Sequence, residues 1–139
     1  MPRMKKAALT AVMCLTLSLS AAPASAASYV DKRARACTSS SCATGTVVEY
    51  WYKKGSSLRG VGWVYAGTTK KPGAQYARWL YKKPGGKTRV GKSWRKAKPL
   101  GDQVYTEWGS GGHTGPKLPR GTLVCTEYKD TARSCVTLK

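Results

Sequence analysis

The chain has 139 residues, with 25 Lys and Arg against 6 Asp and Glu, a single His, five Cys and a formal charge of +19. That length leaves room for one modest core and not two, and the charge points to anionic partners while saying nothing about fold. Phe, Asn and Ile are missing altogether, which fits a GC-rich bacterial genome and excludes N-linked glycosylation, since that needs an Asn acceptor.

Residues 1–26 have the three-part layout of an export signal: Arg3, Lys5 and Lys6, then the apolar run Ala7–Ala22, then Ala24-Ser25-Ala26. The run is shorter than the ~20 apolar residues of a membrane-spanning helix, so a signal-peptide helix cleaved after Ala26 is expected, with no transmembrane segment left behind. Cys14 sits inside the run and not at its end, against a lipoprotein. Residues 27–139 then carry 22 basic and 6 acidic residues, a formal +16, once Arg3, Lys5 and Lys6 are removed. A field of that size favours a soluble monomer.

Residues 27–44 read as an N-terminal extension with a cysteine loop, and 45–139 as a single β domain. Cys37, Cys42, Cys125 and Cys135 are an even set in an oxidising compartment, which favours two disulfides. A zinc site would want tighter cysteine spacing and usually histidines, and His113 is far from every cysteine. No metal or cofactor is expected.

Strand signals, rich in Val, Thr, Tyr and Trp and bounded by Gly and Pro, fall near 45–54, 58–66, 75–83, 87–95, 102–109, 121–128 and 132–138. Helical periodicity is absent from this part of the chain. Tyr52-Lys53-Lys54-Gly55 leads through Arg59 to Trp63, and Tyr81-Lys82-Lys83-Pro84 leads through Arg89 to Trp94, so two hairpins share a di-lysine turn. A third, shorter version runs from Tyr128 to Arg133. If its turn is centred on Asp130, Cys125 faces Cys135 and Val124 faces Val136, within reach of a cross-strand bond. Cys37 and Cys42 would then close their own short loop. The competing connectivity, tying those two cysteines to the last hairpin, stays open.

Seven antiparallel strands with frequent turns predict an all-β, disulfide-stabilised sandwich or small barrel. Without Phe or Ile, at least three of Trp51, Trp63, Trp79, Trp94 and Trp108 are expected in the core, because each buries ~150–250 Å².

Few residues suggest catalysis. Gly86–Ser93 fits the G-x-x-x-x-G-K-S phosphate loop, but Pro99 leaves no room for the helix that such a loop needs. His113, with Glu107, Glu49 or an arginine, is the minimum kit of a small nuclease, yet its glycine-rich loop reads as solvated. Asp102 and Glu107, five apart on one strand, would point to opposite faces and cannot act as paired carboxylates.

The best candidate is the segment from Lys82 to Lys98, where Lys82, Lys83, Lys87, Arg89, Lys92, Arg95, Lys96 and Lys98 surround Trp94 with no acid among them. Interleaved cations and an aromatic ring suit a polyanion. Simple alternation places Lys92, Trp94 and Lys96 on one face and Arg89 and Arg95 on the other. The expected function is a secreted, extracellular, non-enzymatic protein that binds cell wall, nucleic acid or acidic glycan by charge. The alternatives are an antimicrobial or an inhibitor of a secreted protein target, which could present the 109–121 loop, and then a small nuclease.

Overall fold

The computed structural model describes residues 27–139; the expected export signal, 1–26, lies outside them. Ten strands form: β1 Tyr29–Cys37, β2 Gly45–Lys53, β3 Leu58–Thr69, β4 Tyr76–Lys82, β5 Thr88–Lys96, β6 Lys98–Leu100, β7 Gln103–Gly109, β8 Lys117–Pro119, β9 Leu123–Tyr128 and β10 Ser134–Thr137. One sheet has the order β1-β2-β3-β7-β6 with β8 also paired to β3, and the other has the order β10-β9-β4-β5. All pairings are antiparallel. Among the described residues no helix is long and apolar enough to cross a membrane.

Period-two patterning builds the layer between the sheets. Val48 and Tyr50 of β2, Val64 and Ala66 of β3 and Val104 and Trp108 of β7 meet Ala77 and Trp79 of β4, Val124 and Tyr128 of β9 and Val136 of β10. The seven expected strands are present as β2, β3, β4, β5, β7, β9 and β10. The strand that sequence patterning missed is β1, within the expected N-terminal extension. Its YVDKRARAC sequence alternates only weakly, with the small Val30, Ala34 and Ala36 turned toward the core and Lys32 breaking the pattern, yet it pairs with β2 along its whole length. The three-residue β6 and β8 are too short to show a period.

Hairpin register places Cys125 opposite Cys135 and Val124 opposite Val136, around a turn in which Asp130 takes φ 60°. The disulfides are Cys125–Cys135 and Cys37–Cys42, with Cα atoms 4.0 and 4.8 Å apart. Three tryptophans are buried: Trp79 and Trp108 between the sheets, and Trp51 on the outer face of the larger sheet. Trp51 is covered by the 109–116 loop, whose Thr114 carbonyl accepts its Nε1–H at 2.9 Å.

Polar bolts join the sheets on the β1 side. The buried Thr46 and Thr126 hydroxyls lie 2.6 Å apart, Thr46 donates to the Ser134 carbonyl at 3.0 Å, and Ser134 donates to the Ala36 carbonyl at 3.1 Å. Tyr128 donates to the Ala66 carbonyl at 2.9 Å, and burial raises its phenol to about 12 although the Thr106 hydrogen bond pulls the other way.

Candidate polyanion-binding site

The Lys82–Lys98 segment forms one free edge of the molecule. Lys82 ends β4, Lys83 opens the turn, Lys87 precedes β5, and Arg89, Lys92, Trp94, Arg95 and Lys96 lie on β5, with Lys98 on β6. All nine candidate residues are exposed. β5 is the outermost strand of its sheet, and its side chains are solvated on both faces. An edge strand so rich in Lys and Arg resists pairing with another chain and keeps its charges in water.

Simple alternation does not hold along β5. Two irregularities in its pairing with β4 set Ala77 opposite Arg95, Trp79 opposite Lys92 and Tyr81 opposite Arg89. Directly opposed residues share a face, so Lys92 joins Arg89 and Arg95 on the side of Trp79, and parts from Lys96, which opposes Tyr76. The physical reason is bulging: each extra residue inverts the parity of the strand beyond it. Gly91 allows this, because a Cβ there would stand 2.4 Å from the Trp79 ring.

Trp94 faces outward, beneath the Arg78 guanidinium at 4.5 Å and the Lys129 ammonium at 5.5 Å. Arg78 is itself held by Glu127 at 2.6 Å, and Arg133 reaches the other carboxylate oxygen at 3.0 Å. Burial acts to raise the Glu127 pKa, but the two arginine hydrogen bonds and their charges outweigh it and hold the carboxyl below its ordinary value.

Charge on this edge is not neutralised locally. No acid occurs between Glu49 and Asp102, a stretch holding fourteen Lys and Arg. Of the eight candidate cations only Lys98 has an acid within ion-pair distance among the described residues, Glu107 at 3.9 Å. Comparison with protein-family models, with curated proteins and with solved structures finds no match.

Elsewhere the cations have structural tasks that composition could not separate from binding. Arg59 is buried, donates to the Lys139 and Ser56 carbonyls at 2.7 Å each, and stacks 3.8 Å over the Tyr52 ring. On β1, Arg33 pairs with Glu49 of β2.

The 109–116 loop is exposed from Gly112 to Pro116, as a solvated loop would be, but its histidine has fixed partners. His113 stacks on Tyr29 at 4.2 Å and its Nε2 sits 2.9 Å from Asp31 Oδ1, a partner 82 positions away that sequence proximity could not reveal. Glu49 and Arg33 line the same cleft, of about 380 Å³. His113 and Glu49 thus each already have a partner, Asp31 and Arg33, and Glu107 accepts from Trp63 Nε1 at 3.2 Å. Gly86–Ser93 forms a turn running into β5, and strand continues where a phosphate loop would start its helix. Asp102 sits in the turn before β7, so it does not share a strand with Glu107.

Proposed function

We propose that the protein is a secreted, non-enzymatic β domain that binds anionic polymers outside the cell through the Lys82–Lys98 edge. The observation carrying this reading is β5: an edge strand exposed along its length, with four cations and one tryptophan and, among the described residues, no acid within ion-pair reach. Two disulfides are compatible with an oxidising compartment and with export by the expected signal at 1–26. A sheet edge fixes the backbone that carries these cations before binding, so association releases counterions without ordering the backbone first.

The test is equilibrium binding to isolated cell wall and to single-stranded DNA across a salt series. Five phosphate contacts predict a loss of about 100-fold in affinity between 50 and 200 mM salt. Binding that ignores salt, or that survives Lys→Gln at 82, 83, 87 and 92 together, would overturn the proposal.

One observation favours a second reading. His113 is held by Asp31 beside Glu49 and Arg33, the residue types of a small nuclease. Nucleic-acid cleavage lost in His113→Ala would support that reading, and no cleavage by the unaltered protein would end it.

A further inference from the structure

The sandwich has two seams where sheet edges approach, and they differ. Beside β5 the seam is open: a cleft of about 360 Å³ lies between β5 and the 109–116 loop, with Trp79 and Trp108 among its lining residues. Lys92 and Arg95 project from the β5 side, and no acid lines the space. Arg95 is aimed by its own hydrogen bond, Nη1 donating to the Glu107 carbonyl at 2.7 Å, which leaves the rest of the guanidinium fork for another acceptor. Lys92 has no ion-pair partner among the described residues.

The facing wall is fixed in place. Gly115 takes φ +87°, and a Cβ there would stand 1.8 Å from the Val61 carbonyl oxygen; at Gly109, φ +88°, it would stand 2.2 Å from that of Gly62. Backbone hydrogen bonds from Gly111 to Gly62 and from Val61 to Pro116, 3.0 and 2.9 Å, lock the loop onto β3. Ser110 and Thr114 line this wall. Trp108 Nε1 is the buried side-chain donor that finds no partner among the described residues.

Resting on the polyanion reading above, we infer that this cleft seats one phosphate of a phosphodiester chain whose neighbouring phosphates lie along the β5 cations. Cations and polar loop groups on opposing walls suit a tetrahedral oxyanion, whose non-bridging oxygens diverge. A planar carboxylate offers both oxygens to one side and matches a single wall. Trp108 lines the seat, so its indole N–H reports on whatever fills it.

Two double variants with equal charge loss test this: Lys92→Gln with Arg95→Gln in the cleft, and Lys83→Gln with Lys87→Gln at the hairpin turn. Lys92→Gln alone, which breaks no hydrogen bond, serves if the cleft pair fails to fold. With a short oligothymidylate at fixed salt, the cleft pair should lose at least about tenfold more affinity than the turn pair. The Trp108 indole N–H signal in a nitrogen-15 correlation spectrum, assigned by its loss in Trp108→Phe, should move on adding oligothymidylate and stay still with polygalacturonate. Equal losses in both pairs with a static Trp108 signal would overturn the cleft while leaving the polyanion reading intact. A cleft that responds equally to polygalacturonate would overturn the phosphate assignment. No binding by the unaltered protein at any salt would take down both.

Discussion

β1 and β5 are both nine-residue edge strands, both rich in cations, and they guard opposite seams of the same sandwich. Along β1 Arg33 pairs with Glu49 and Asp31 with His113, and Arg35 donates to the Cys42 sulfur at 3.3 Å, while Lys32 has no acid within ion-pair distance among the described residues. Behind β1 the seam is bolted by the Thr46, Thr126 and Ser134 hydroxyls. Along β5 the charges are exposed and, among the described residues, have no acid within ion-pair distance, and an open cleft lies beside Trp79 and Trp108. Both edges are net positive, β5 with four cations and no acid and β1 with three cations and Asp31. Pairing separates a structural edge from one free to take a polymer, because a cation already held by a carboxylate releases few counterions when a phosphate replaces it.

The largest effect should come from closing the difference at the loop wall. Gly115→Ala adds both a strained backbone at φ +87° and a Cβ driven into the Val61 carbonyl, and should cost about 3 kcal/mol in chemical denaturation. Gly55→Ala is the matched control: it has a similar φ, +82°, but open space around it, and should cost about 1 kcal/mol. Next come the staples. Replacing Cys125 and Cys135 by Ser opens a loop of separation 10 and should cost roughly 2.5 kcal/mol, and the Cys37–Cys42 loop, separation 5, roughly 2 kcal/mol.

The inter-sheet bolt at Tyr128 should show in alkaline melts. Its phenol stays neutral up to about 12 in the folded state but ionises near 10.0 in the unfolded chain. The native state is therefore unaffected below pH 10 and loses roughly 2–3 kcal/mol relative to the unfolded chain as pH climbs from about 10 to 12. Tyr128→Phe should cost about 1 kcal/mol at neutral pH, through the lost bond to Ala66, and should flatten that alkaline decline. An equal decline in both proteins would show that the phenol is not its source.

How much of this was legible in the sequence follows from what each feature depends on. Seven strands, three hairpins and both cysteine loops depend on local alternation and turn residues, and those are written along the chain. β1 alternates only weakly, because its inward side chains are small and Lys32 interrupts them. The face that Lys92 occupies depends on bulges in β5, and a bulge is a two-strand property with only Gly91 as its trace. His113 is exposed as expected, but its partners, Tyr29 and Asp31, went unseen because they lie on the very strand that patterning missed. The candidate edge was legible because a run of cations without acids needs no tertiary partner to be recognised; the cleft beside it needed the 109–116 loop and was not.

The smallest expected stability change cuts deepest into the comparison. Arg33→Gln removes the same formal charge as Lys92→Gln, but its ion pair with Glu49 is largely exposed on the arginine side, so it should cost at most about 0.5 kcal/mol. If net charge governs polymer binding, the two substitutions weaken it alike. If pairing governs, Arg33→Gln leaves affinity nearly unchanged, whereas Glu49→Gln frees Arg33 and strengthens binding at low salt, turning the β1 edge into a second cationic edge. Measured beside one another at two ionic strengths, equal losses for Arg33→Gln and Lys92→Gln, with no gain for Glu49→Gln, would reduce β5 to an ordinary part of a positive surface.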